Sequence, residues 1–362
     1  MSVMTLPKST MIPLERPDLT GVDSAVRSYI EALEAELARR PRRSGTERSA
    51  DLLETAEPAE PPTTANLVTI SRSGEAKRTP RHLYPRQRRG GMGIFDLEIS
   101  EDDPPAFIVS ADEAQAMVVI TDRARVFRLK AADIPVAPLH GRGLSLTSVL
   151  PLNPDEVPAV VLSDEPAPYL ALLTDRGHIR WLGGHLVGQR LNQGMILYDT
   201  DALGLPASAC WTSNEDELLI ASRQGQAIRF AARLVPARGC LAIRLGRDDA
   251  AVAITPVHSE DGVLLMTADG KGTVRFMSGF AANKSPGGGG KAAMKTDSLV
   301  AATTVAATDD VFAVSRLGKV IRFAVDEIPT KDGAVQGVNC MALRGDEVVA
   351  ATAVKLVGPT AD

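Results

Sequence analysis

The sequence predicts an all-β protein, a six-bladed propeller-like disc preceded by one short helix and a disordered linker. Three observations carry this. A hairpin unit, made of an apolar strand, a tight turn and an Arg-bearing strand, recurs six times after Asn66. Glycine-centred segments follow each hairpin with nearly the same period. Aromatic residues make up only 4% while 30 Gly and 24 Pro are present, which favours many turns around a Val, Leu, Ile and Ala core.

Residues 1–64 form a distinct N-terminal region. Over 23–40, Val26, Ile30, Leu33 and Leu37 recur at helical spacing between Glu31, Glu34 and Glu36. Asp23 or Ser24 can cap the start, and Arg39 and Arg40 suit the negative end of the helix dipole. Such a helix of about five turns is too short to stand alone. It either packs on the main domain or docks a partner or a second copy, which would make the chain an oligomer. From Pro41 to Thr64, Pro, Glu, Ser and Thr dominate, as in a flexible acidic linker.

The array occupies residues 65–356, ahead of a short tail over 357–362. Its six hairpins read LVTISRSGEAKR, VVITDRARVFR, ALLTDRGHIR, LLIASRQGQAIRF, LLMTADGKGTVRF and FAVSRLGKVIRF. They end in Arg78, Arg128, Arg180, Arg229, Arg275 and Arg322, expected at equivalent places in six four-stranded blades. The second marker falls at Gly93, Gly143, Gly194, Gly239, Gly290 and Gly337. Strands such as Val118–Thr121 and Leu218–Ala221 are apolar on both faces, so each unit must be covered by its neighbours. Gly74, Gly177, Gly225 and Gly318 stand where a hairpin needs positive φ; Ala124 in blade two implies a different turn. The segment Asp346–Val354 resembles Leu299–Ala307 and is expected to close the ring against the first blade.

Charge gives a mixed message. The chain holds 40 Lys+Arg and 45 Asp+Glu, a net charge of −5. Residues 1–64 account for 8 basic and 11 acidic side chains, leaving 32 and 34 for the rest, so nucleic-acid binding requires charge segregated onto one rim. Cys210, Cys240 and Cys340 lack metal or disulfide spacing, which fits a reducing compartment. No apolar run is long enough to span a membrane and no signal peptide is evident, so a cytoplasmic location is expected.

At Tyr84–Gly93 the sequence reads YPRQRRGGMG. This resembles the Q-R-R-G-G-basic-G box in the first blade of the DNA gyrase A C-terminal domain family, and the likeness extends over Asn66–Val354. The resemblance implies a β-pinwheel, a disc whose neighbouring blades exchange strands, with a basic rim that wraps duplex DNA and a box on the loop joining first and last blades. Carried over position by position, Gln87, Arg88, Arg89, Gly90, Gly91 and Gly93 fall in the box, and Met92 stands where the family has Lys or Arg. With the box, Lys77, Arg78, Arg86, Arg128, Arg142, Arg180, Arg229, Arg275, Lys291 and Arg322 make up the candidate DNA-binding set. The repeated arginines have an alternative role, bracing the disc by pairing with repeated acids.

The resemblance implies double-stranded DNA as the partner, gyrase or topoisomerase IV subunits as further partners, and a nucleoid-associated place in the cytoplasm. The alternative is a protein-interaction propeller whose DNA rim has decayed. No enzymatic activity, cofactor or metal is expected. The family's cleavage chemistry uses a tyrosine after an arginine, and none of Tyr29, Tyr84, Tyr169 and Tyr198 follows one. SPGGGGKAA departs from a phosphate-binding loop at Ser285 and Ala292, the Asp199-x-Asp201 pair lacks a partnering Glu, and the five histidines have no metal spacing.

Overall fold

The computed structural model describes residues 60–98, 100 and 102–355, together with Val26. The rest of the expected 23–40 helix and the 357–362 tail lie outside the described residues. Six antiparallel hairpins form the middle of the blades: Ala65–Ser71 with Glu75–Pro80, Ala116–Thr121 with Arg125–Lys130, Tyr169–Thr174 with His178–Gly183, Glu217–Ser222 with Gln226–Ala231, Gly262–Thr267 with Lys271–Phe276, and Asp310–Ser315 with Lys319–Ala324. Their turns share one geometry with a final residue at positive φ, Gly in five blades. Ala124 does not impose a different turn: it adopts φ 53 in the same place, a conformation that costs a Cβ-bearing residue about 1–2 kcal/mol.

Each hairpin gains an inner strand from the same repeat: Pro105–Asp112, Pro158–Ser163, Pro206–Thr212, Ala251–Val257, Leu299–Val305 and Val348–Val354. Every one of these pairs shifts register at the last hairpin residue, at Ser71, Thr121, Ser222, Thr267 and Ser315 and between Pro206 and Ser208, so a bulge is built into all six blades. Bulges strengthen local twist. The six inner strands neighbour one another in sequence order, and Val348–Val354 lies beside Pro105–Asp112, so the ring is closed. That last strand hydrogen-bonds to Asp310–Ser315 of its own blade and packs beside the inner strand of blade one, closing the ring there as the sequence suggested.

The fourth strand of each blade is borrowed from the next repeat. Leu144–Ser145, Met195–Ile196, Cys240–Leu241, Lys291–Ala292 and Val338–Asn339 complete blades one to five; blade five also takes a parallel Thr330–Lys331. The corresponding strand of the first repeat, Ile94–Phe95, pairs with blade six. This exchange explains the second glycine marker. A Cβ added at Gly93, Gly143, Gly239, Gly290 or Gly337 would lie within 3.0 Å of a carbonyl oxygen of the blade that receives the strand.

Six apolar clusters fill the six seams. Burial of each Val, Leu, Ile or Phe contributes roughly 1.5–3 kcal/mol. The cluster between blades six and one is built from Leu67, Tyr84, Ile108, Phe312, Val314, Val320 and Val354, fewer residues than fill the other seams, and polar groups supply the rest. Arg322 is fully buried and pairs with Asp310 at 2.6 Å and with Glu60 at 3.2 Å. Glu60, in the segment read as linker, is nine-tenths buried and also takes a bidentate pair from Arg81 at 2.7 and 2.8 Å. Burial alone would raise the Glu60 carboxyl, but Arg81 and Arg322 outweigh it and hold the group below its ordinary value.

A chain beginning at residue 57 should therefore melt higher than one beginning at residue 65. Glu60→Ala should cost about 3–5 kcal/mol, because it strands buried guanidinium groups. Since the folded-state pKa of Glu60 is depressed, its contribution is present above the unfolded carboxylate value and is lost as pH falls through the folded one. The melting gap between parent and Glu60→Ala should narrow as pH falls below the ordinary glutamate value; a gap that stays the same in acid would refute the ionic role.

Candidate functional site

The YPRQRRGGMG segment is the clasp of the ring. It leaves blade one after the turn Arg81–Leu83 and runs to Ile94–Phe95 on blade six. Gln87 N–H donates to the Arg322 carbonyl at 2.7 Å, Gly90 N–H to the Cys340 carbonyl at 2.7 Å, and Ala342 N–H to the Gly91 carbonyl at 2.8 Å. Just beyond the clasp, buried Asp96 accepts from Lys77 at 2.8 Å, Tyr84 at 2.6 Å and Thr69 at 2.7 Å, while its N–H donates to the Gly318 carbonyl. Desolvation, then the Asp96 carboxylate, pushes the Tyr84 hydroxyl well above its usual range, so it stays a protonated donor.

This geometry divides the box. Gln87 is a positioning residue, its Oε1 accepting from Gly93 N–H at 3.2 Å. Gly91 N–H donates to the Arg88 carbonyl at 3.1 Å. The N–H groups of Gly90, Gly91 and Gly93 are thus spent inside the clasp, so these three members of the candidate DNA-binding set have no backbone donor left for phosphate. Gly91 serves close packing instead, since a Cβ there would lie 2.5 Å from Gln87 Oε1. Arg88 and Arg89 are exposed; Arg89 Nη1 donates to the Asn339 carbonyl at 3.2 Å, and Arg88 has no side-chain partner among the described residues. Arg86 is partly exposed and pairs with Asp310 at 2.8 Å. Met92 is 49% exposed, in the place that Arg142 and Arg238 hold before their own marker glycines.

The repeated arginines do not form one set. Arg78, Arg128, Arg229 and Arg322 stand four residues beyond the turn residue, whereas Arg180 stands three and Arg275 five beyond it. A one-residue slip on a strand turns the side chain to the opposite face, so Arg180 and Arg275 are not equivalent to the other four. Three of the four in register stitch their blade to the next. Arg78 Nε donates to the Ile134 carbonyl, Arg229 Nη1 to those of Met277 and Phe280, and Arg322 Nη1 to those of Arg81 and Tyr84. Acids complete them: Glu113 for Arg78, Asp164 for Arg128, Glu217 for Arg229 and Asp310 for Arg322.

Lys77, Arg78, Arg229, Arg275 and Arg322 are each at most 6% exposed, which removes them from any phosphate-facing set. The bracing alternative accounts for the arginines that stitch the seams. Arg128 is occupied by Asp164, and Arg180 donates to the Arg238 carbonyl. Arg275 lies over Phe280 with its centre 5.4 Å from the ring.

Arg142, Arg190, Arg233, Arg238 and Lys284 are exposed on the loops that lead to the borrowed strands, and Lys291 is exposed on one of those strands. Of these the sequence reading singles out only Arg142 and Lys291. The others carry the same signal, a position between the Arg-bearing strand and the marker glycine. The matching loop of the sixth repeat carries Asp326, Glu327 and Asp332 beside Lys331. Among the described residues no three His, Cys, Asp or Glu side chains cluster as metal ligands. Asp199 caps the short turn over 200–203 by accepting from Asp201 N–H. No described helix is long and apolar enough to cross a membrane.

A family profile described as "DNA gyrase C-terminal domain, beta-propeller" matches residues 65–104, 115–156, 216–257 and 309–355. These four segments belong to the four blades whose arginine is in register. The DNA gyrase A protein of Mycolicibacterium smegmatis is 29% identical over 301 residues, covering 78% of this chain and 35% of that protein. Its Mycobacterium tuberculosis counterpart is 30% identical over 306 residues, with 78% and 36% covered; that of Staphylococcus aureus is 26% identical over 301, with 79% and 34%. The chain thus spans about a third of the length of these curated relatives. A solved DNA gyrase A C-terminal domain superposes with TM-score 0.70 at 19% identity, covering 80% of this chain and 99% of that one. The C-terminal domain of DNA topoisomerase IV gives 0.57 at 14%, with 80% and 93% covered. Both structures show the shared fold.

Arg322→Ala should lower stability by about 3 kcal/mol or more, because it leaves Asp310 and Glu60 without their shared partner. Arg88→Ala should leave the melting temperature unchanged. Thermal melts of the two variants check the division between stitch and surface.

Proposed function

For a chain whose repeat array belongs to the DNA gyrase A C-terminal domain family, we propose that the disc binds and wraps duplex DNA on its basic loops and performs no covalent chemistry. The observation that carries this is the pair Arg88 and Arg89, held exposed on a clasp whose backbone hydrogen bonds are already satisfied by blades five and six. Arginine recognises phosphate without reading sequence, so such a rim gives affinity and path rather than base choice. Arg142, Arg190, Arg233, Arg238, Lys284 and Lys291 extend the track over the following loops, and the acidic sixth loop ends it. The relatives' names support a place beside gyrase or topoisomerase IV subunits as an accessory to DNA topology control, and a nucleoid-associated place in the cytoplasm goes with that proposal.

Replacing Arg88 and Arg89 together by Ala should weaken duplex binding without unfolding. It should reduce the dependence of log affinity on log salt by up to ~2, equally on unrelated sequences. Met92→Lys should act in the opposite direction. Gel shifts on linear and supercoiled duplex at two salt concentrations test this. An unchanged salt slope in the double variant would leave the protein-interaction propeller as the better reading.

A further inference from the structure

The clasp exposes an apolar group that phosphate recognition does not use. The borrowed strands are only two residues long, and successive side chains of a strand point to opposite sides. In Ile94–Phe95 the first residue packs with the seam cluster and the second faces solvent, 47% exposed. Phe95 cannot retreat, because Asp96 beside it is fully buried and tied to Lys77, Tyr84 and Thr69. Its ring is bracketed by cationic and titratable groups. Lys319, its cross-strand partner, places Nζ 5.2 Å from the ring centre, and His140 meets it edge-on at 5.8 Å. Arg86, Arg88 and Arg89 lie upstream on the same segment. Ile196, the corresponding residue on blade two, is 67% exposed, but the cation opposite it, Arg125, is occupied by Glu156 at 2.6 Å.

We propose that Phe95 is an apolar wedge that enters the minor groove of the duplex and helps to bend it. This rests on the DNA reading above. The charge around the ring selects the occupant: a polyanion drawn to Arg88, Arg89 and Lys319 is brought against the aromatic face. An apolar side chain set between base steps unstacks them and kinks the duplex, which lets more of the rim be covered. The contact is not ionic, so it adds affinity and curvature without adding to the salt slope.

The test uses the full chain with an end-labelled duplex, reading affinity by gel shift at low and high salt and bending by energy transfer between the ends. Phe95→Ala should lose about tenfold in affinity at both salt concentrations, keep the parent's salt slope and bend the duplex less. Phe95→Leu should keep most of both, and Ile196→Ala should behave as the parent. Parent-like affinity and bend in Phe95→Ala would overturn the wedge while leaving the DNA reading intact. A parent chain that fails to bind duplex at all would overturn both and assign the patch around Phe95 to a protein partner.

Discussion

The disc depends on one buried guanidinium. Arg322 sits where blade six meets blade one, and its partners come from three parts of the chain: Asp310 on the neighbouring strand, Glu60 ahead of the array, and the carbonyls of Arg81 and Tyr84 at the start of the clasp. Its own carbonyl receives Gln87 N–H, and its plane lies over Phe312 at 5.1 Å. A chain of repeats with sticky faces has no intrinsic reason to stop at six or to close in one register. A buried ion network penalises every arrangement that leaves one of its members unpaired, so it restricts the ways in which the ring closes.

The same seam sets the surface chemistry. Arg88 and Arg89 are exposed because the backbone around them is committed: the glycines spend their N–H groups on Arg88, Gln87 and Cys340, and Asp96 anchors the far end. The box therefore acts first as a structural clasp, and its two exposed arginines are a consequence of how that clasp is held. Blade six adds a polarity, since Asp326, Glu327 and Asp332 occupy a loop that is basic in the other repeats. The net charge of −5 is a poor guide to such a molecule, because several arginines are consumed internally.

Stability and the proposed DNA recognition draw on different arginines. A buried guanidinium donating to carbonyls of the next blade is desolvated and expensive to strand, whereas an exposed one costs little to remove. The four blades whose arginine is in register are also the four that match the family profile.

The sequence by itself determined the all-β repeat architecture, the number of blades and the location of the clasp. Those follow from hairpin periodicity and glycine spacing, which are local properties of strand and turn. It also held, in the count from each turn residue, the fact that Arg180 and Arg275 are out of register. Only the tertiary structure decided which cations are free. Whether Lys77 or Arg229 meets water or a carboxylate depends on how the chain folds back on it, through Asp96 just beyond the clasp and Glu217 across the hairpin, and Glu60 reaches Arg322 across 262 residues of sequence. Burial is set by contacts between units distant in the chain, and no local pattern of residue types encodes it.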